Sequence, residues 1–157
     1  EIVERAAKMR EVYSRFPETF QFLADNNLLP GFTLYSELDF QVGWLMVADE
    51  AVKAIREYEA ANSIEFKTIM NLNFVNPFPF LLDRGATRHI AIGADPTRAV
   101  PAPDPETLAA VSKTDLILYP MCPITTANEA LLALYRPAVA HHKFIVLSAC
   151  WRGYVRQ

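Results

Sequence analysis

From Phe32 to the carboxyl terminus, strand-sized apolar stretches alternate with segments of helical period, and this alternation narrows the available folds more than any other feature. Phe32, Leu34, Ser36, Leu38 and Phe40 alternate with Thr33, Tyr35, Glu37 and Asp39, the period-two pattern of a strand with unlike faces. Ala48, Ala51, Val52, Ile55 and Tyr58 then recur at helical spacing across Val47–Ala61. Further strands are expected at Phe66–Phe74, His89–Gly93, Asp115–Tyr119 and Phe144–Ala149, with a long irregular stretch over Val75–Arg88. The last three strands are short and nearly continuously apolar, as strands are when both faces of a parallel sheet are covered. The expected class is α/β: a three-layer α/β/α, Rossmann-like domain on a mostly parallel five-stranded sheet.

Prolines and cap residues divide the chain. Ile2, Ala6, Met9, Tyr13 and Phe16 fall on one face of a helix that Pro17 ends, and a short helix from Pro17 to about Asn26 precedes the Pro30-Gly31 turn. Residues 1–30 therefore read as a helical extension of an α/β domain at 31–157, one domain overall at 157 residues. Asp104-Pro105-Glu106 supplies an N-cap, a first-turn proline and a first-turn acid. Thr126-Ala-Asn-Glu129 has capping-box spacing and opens a helix that Pro137 is expected to end.

Several function classes are disfavoured. Lys and Arg total 15 against 18 Asp and Glu, a net charge of −3, so nucleic acid is not an expected partner. No apolar run approaches the ~18–20 residues of a membrane span. The chain opens on Glu1 with no charged-then-apolar leader, which reads as a segment whose original amino terminus lies upstream. None of the 5 glycines forms a dinucleotide-binding or phosphate-cradling motif, and no cofactor is expected. His89, His141 and His142 precede strands, a strand length of roughly 20 Å from the cysteines, so neither a Cys–His nucleophile nor a metal site is expected.

Ligands of open parallel sheets bind outside the carboxyl ends of the strands. There the sequence delivers Asp39 and Gln41, then Asn73 and Asn76, Asp95 and Arg98, Cys122, Thr125, Thr126 and Asn128, and finally Cys150, Trp151 and Arg152. Phe78 and Phe80, on the long connection, either wall a pocket or cap the core. The amino end of the helix at Thr126 suits a phosphate or carboxylate unless Thr126 and Glu129 satisfy its N–H groups themselves. Cys122 and Cys150 are either two small buried apolar residues or a disulfide; a disulfide would imply an oxidising, for instance periplasmic, compartment, and a cytoplasmic one is otherwise favoured.

Asp39-Phe-Gln-Val-Gly43 resembles the first motif of haloacid-dehalogenase-type phosphatases, but Gln41 stands where that family needs its general acid. Asp95 is placed like the acceptor of receiver domains, without their paired acids or their lysine. Across Asp115–Trp151, the strand-end polar groups, the helix amino end after Pro123-Ile-Thr-Thr126 and the aromatic residues resemble, in architecture, one lobe of a two-lobed sugar-nucleotide-dependent glycosyltransferase. The resemblance implies a small-molecule-binding domain for an anionic or polyhydroxylated, sugar- or nucleotide-like ligand, as part of a glycan-assembly protein. Asp39 and Asp95 are the candidate general base or hydroxyl-binding groups, Thr126 and Arg152 would meet negative charge, and Trp151 and Phe78 would stack. Asn73, Asn76, Arg98, Cys122, Thr125 and Cys150 complete the expected ligand-binding set. Whether catalysis accompanies binding stays open. The alternative is a non-catalytic interaction domain of a larger, membrane-tethered protein, with Ile2–Phe16 docking on a partner or a second copy.

Overall fold

In a computed structural model, the two amino-terminal helices form where spacing predicts, α1 at Ile2–Arg15 and α2 at Pro17–Asp25. The structure describes residues 1–28, 38–91, 93–96 and 98–157, and the side chain of Asp39 is also outside that set. Pro17 opens α2 at a first-turn position, where its missing N–H removes no helical bond. The apolar stripe of α1 buries Ala6 against a long helix, α3, at Leu38–Asn62. Arg10 clamps the pair by donating from Nε (3.2 Å) and Nη2 (3.0 Å) to the two carboxylate oxygens of Glu50. The middle of the α1 face expected to meet a partner packs on α3 of its own chain, while Ile2 and Phe16 at its ends stay exposed.

The expected first strand, Phe32–Phe40, lies outside the described residues up to position 37, and Leu38–Phe40 form the opening turn of α3 instead. Helical spacing explains this: Phe40, Trp44, Val47, Ala51, Ile55 and Tyr58 succeed one another at steps of three and four. That stripe outweighs the few alternating residues that overlap its start.

Among the described residues five strands make one sheet: β1 (Thr68–Asn71), β2 (Gly85–Ala86), β3 (Leu116–Pro120), β4 (His142–Val146) and β5 (Trp151–Arg156), in the order β2-β1-β3-β5-β4. Strand β1 is parallel to β2 and β3, whereas β5 is antiparallel to both β3 and β4. The mostly parallel, Rossmann-like sheet expected from the sequence is therefore replaced by a mixed one. The cause is β5: Trp151 and Arg152, read as a loop past the last strand, begin a strand that folds back as a hairpin and inserts between β3 and β4. The α/β class itself holds.

Smaller differences have local causes. The described residues of the expected strand His89–Gly93 form none: His89 adopts φ 65°, in the left-handed region that a strand excludes. Its place beside β1 is taken by β2, and Gly93 makes only an isolated bridge to Val75. The stretch Val75–Arg88 contains a one-turn helix, α4 (Phe78–Leu82). Helix α5 (Pro105–Ser112) begins on the Asp104 cap as expected, Asp104 accepting from the Thr107 N–H at 2.7 Å, and that bond holds its carboxyl below its ordinary pKa. Helix α6 (Thr126–Val139) runs through Pro137 rather than stopping there, because Ala138 and Val139 bury their side chains in the core.

Adjacent strand residues point to opposite faces, and this places the helices. Trp151, opposite Pro120, donates its indole N–H to the Val47 carbonyl of α3 at 2.7 Å. Tyr119, opposite Arg152, bonds to Glu129 of α6. Helices α3 and α6 therefore cover opposite faces, with Ile69, Leu116, Leu118 and Trp151 fully buried in the core. Gly153 is closely packed: a Cβ there would lie 3.1–3.2 Å from side-chain atoms of Ile145, Leu116 and Leu147, which would have to shift by a few tenths of an ångström.

Candidate functional site

The carboxyl ends of β1 and β3 and the amino-terminal half of α3 line a half-open cavity of about 340 Å³. Helix α3 contributes Phe40, Gln41, Trp44 and Leu45, the segment after β1 contributes Asn73, Phe74 and Val75, and the β3–α6 connection contributes Pro120, Cys122, Pro123, Thr125 and Asn128. Three expected ligand-binding residues, Asn73, Cys122 and Thr125, are brought together here.

One wall is backed by an aromatic cluster. Trp44 lies 6.1 Å from Trp151 between ring centroids, and Trp151 meets Phe78 edge-on at 5.3 Å. Phe78 and Trp151, expected to stack on a ligand, are fully buried, so they act behind the wall, holding Trp44 in place. The part of the lining that Cys122 supplies is covalently fixed, because Cys122 and Cys150 form a disulfide. This follows from the hairpin: Cys122 leaves β3 and Cys150 enters its antiparallel neighbour β5, with Cα atoms 5.1 Å apart. Of the two readings left open for this pair, the structure takes the disulfide. The Cys122–Pro123 peptide bond is cis.

The floor is a hydrogen-bond network centred on Asn128, which is fully buried. The Thr125 backbone N–H donates to Asn128 Oδ1 at 2.9 Å, so the amide orientation is determined: Oδ1 accepts and Nδ2 must donate. Thr125 Oγ1 also donates to that Oδ1 at 2.8 Å, and itself accepts from the Asn128 N–H at 3.2 Å. This is a capping box, one residue earlier than the sequence spacing suggested, and it occupies the amino end of α6 that an anion would have needed. Glu129, the expected capping partner, bonds to Tyr119 instead. Asn128 Nδ2 reaches across to the Leu72 carbonyl at 2.9 Å and to Asn73 Oδ1 at 3.0 Å. Replacing Asn128 with Ala leaves several of these groups buried without partners; the expected loss is about 2–3 kcal/mol, read as a lower denaturant midpoint at unchanged slope.

The remaining expected residues are dispersed. Asp39 has its backbone in the first turn of α3 and its side chain outside the described residues. Asp95 heads a turn in which its carbonyl accepts from the N–H groups of Arg98, Ala99 and Val100, and Arg98 is exposed. Asn76 donates to the Ile69 carbonyl at 3.0 Å and lines a separate cavity of about 140 Å³, together with the exposed Phe80. Thr126 is exposed at the first position of α6. Arg152 lies on the face of β5 away from Trp151, donates to the Ser148 carbonyl at 3.0 Å, and burial lowers its pKa. No charged side chain lines the larger cavity among the described residues. Likewise, among them no group of three or more His, Cys, Asp or Glu could hold a metal ion, and no helix is long and apolar enough to cross a membrane.

Sequence reasoning missed Phe40, Trp44 and Leu45 because it read their neighbourhood as a strand end. The helical stripe from Phe40 was the available signal. Compared with known protein families, curated proteins and solved structures, the chain matches none.

Proposed function

We propose that this chain is a small-molecule-binding α/β domain whose ligand occupies the cavity between α3 and the sheet end. The observation that carries the reading is the cavity itself: about 340 Å³, within the ~300–1,000 Å³ typical of ligand sites, with walls that are apolar and aromatic apart from Gln41 and a few polar groups at its base. Its position, past the carboxyl ends of the parallel strands β1 and β3, is where such sheets bind ligands. Of the ligand chemistries expected from the sequence, the neutral ones fit this lining better than the anionic ones. A charged ligand would lose its hydration without gaining a counter-charge among the described residues. The disulfide beside the cavity favours a working environment more oxidising than the cytosol.

The test is a thermal-shift screen of nucleotides, sugar nucleotides, free sugars, small carboxylates and neutral aromatic compounds, run on the natural chain and on Leu45→Trp. Leu45 is 67% exposed at the cavity rim, so the larger ring should obstruct entry without disturbing the core. A ligand at about a hundred times its Kd adds ~2.7 kcal/mol, or roughly 5–10 °C here. The expected result is a shift confined to one chemical class and abolished by Leu45→Trp. A flat screen, or shifts that Leu45→Trp leaves intact, would count against the cavity.

A further inference from the structure

The geometry points to a specific ligand class: a flat, uncharged molecule of one or two fused rings bearing a carbonyl-type acceptor, recognised by the side-chain amide of Asn73. This inference rests on the reading of the cavity as a ligand site and gives that site its chemistry.

The direction of the Asn73 amide follows from its neighbours. The Phe74 backbone N–H can only donate, and it donates to Asn73 Oδ1 at 2.8 Å. Asn128 Nδ2, whose own direction is fixed by the Thr125 N–H, donates to the same oxygen at 3.0 Å. Asn73 Oδ1 is therefore the acceptor end and is already occupied twice, which leaves Nδ2 as the donor end with no partner among the described residues. Asn73 is half-buried in the cavity lining, and a ligand acceptor placed there would take over this unpaired donor from water. The other polar groups of the base offer less: Asn128 and Thr125 are turned toward each other and toward the Leu72 carbonyl.

The walls select the rest of the ligand. Trp44 is braced from behind by Trp151, whose indole is tied to the Val47 carbonyl, so it presents a pre-formed flat surface. Phe40, Phe74, Val75, Pro120 and Pro123 add apolar area, and Cys122 brings a polarizable sulfur to the same space. The volume lies near the low end of the range for ligand sites, room for a small ring system rather than a dinucleotide.

Three probes separate the possibilities: coumarin, which is bicyclic, neutral and carries a lactone carbonyl; naphthalene, with the fused rings but no acceptor; and coumarin-3-carboxylate, which adds a negative charge. Binding is measured by calorimetry, and its place by the shift of the Trp44 indole N–H in a nitrogen–proton correlation spectrum. The expected order is coumarin, then naphthalene, then the carboxylate. Asn73→Asp keeps an oxygen for the Phe74 and Asn128 donors but removes the free donor. It should weaken coumarin roughly tenfold and leave naphthalene unchanged. If Asn73→Asp also lowers the melting temperature, the preference of the natural chain for coumarin over naphthalene carries the same test. Equal binding of those two probes, or an Asn73→Asp effect common to both, overturns the role of Asn73. Binding of the carboxylate at Trp44, with coumarin inert, overturns the ligand class while the cavity stands as a site. If nothing moves Trp44, this inference and the cavity reading fall together.

Discussion

Removing the Cys122–Cys150 disulfide is expected to destabilise the fold by about 3–4 kcal/mol and to lower Tm by roughly 10 °C. The cysteines are 28 residues apart in sequence, so the bridge closes a loop containing α6, β4 and the hairpin turn, and the unfolded chain recovers that loop's freedom when the bridge is absent. Both side chains are buried, Cys122 at 4% and Cys150 at 0% exposure, which will slow attack by a reductant. The cleaner comparison is thus the double variant Cys122→Ala/Cys150→Ala against the oxidised chain. Calorimetric unfolding reads the difference, and an unchanged Tm would show that the β3–α6 connection and the β4–β5 turn are held by packing alone. Because Cys122 lines the cavity, the same variant should also bind any cavity ligand more weakly.

A comparable effect is expected from Arg84→Met. Arg84 donates from Nη2 to Glu59 Oε2 at 2.9 Å and from Nη1 to the Phe66 carbonyl at 3.3 Å, joining the end of α3 to the segment between α4 and β2. The two side chains are only 10% and 13% exposed, so losing the guanidinium strands a buried carboxylate at a cost of about 3–5 kcal/mol. Even with Arg84 present, burial holds the Glu59 carboxyl above its ordinary value of 4.5, and Glu59 Oε1 has no hydrogen-bond partner among the described residues. Without Arg84 it must rise further. The folded variant then binds more protons than the unfolded chain above that ordinary value, so its stability falls as pH rises through the window between the two pKa values. The deficit against the natural chain should be full at neutral pH and shrink toward pH 4, as followed by urea unfolding across pH. Glu59→Leu/Arg84→Met, which removes both charges, should recover most of the loss. A pH-independent deficit would show that Arg84 acts through packing of its stem and not through charge.

The amino-terminal helices, the Asp104 cap and the α/β alternation were legible because each rests on local signals of period or punctuation. The hairpin was harder, yet its mark is present: Trp151, Gly153 and Val155 alternate with Arg152, Tyr154 and Arg156 at period two. That mark is masked because an aromatic and an arginine directly after a cysteine also look like a site. Only tertiary structure supplies the insertion of β5 between β3 and β4, and that insertion turns the two cysteines toward each other and converts a parallel sheet into a mixed one.

The candidate site was partly legible. Asn73, Cys122 and Thr125 follow strand ends, so the strand-end rule reached them. The α3 wall could not come from that rule, since it is a helix flank crossing the sheet end. Trp151 and Phe78 also show that an aromatic near a strand end has two destinations, and burial against α3 decided theirs.

The most direct test of the cavity as a ligand site is a nitrogen–proton correlation spectrum of the labelled chain, recorded with and without a mixture of neutral ring compounds. With only 2 tryptophans, the indole region holds two signals. Trp44 lines the cavity, whereas Trp151 is fully buried with its N–H bonded to Val47. The account predicts that the Trp44 indole signal and the side-chain amide of Asn73 move together, while the Trp151 signal moves far less. Shifts gathered instead around Phe80 and Asn76, or no shift at Trp44 with any compound, would contradict it.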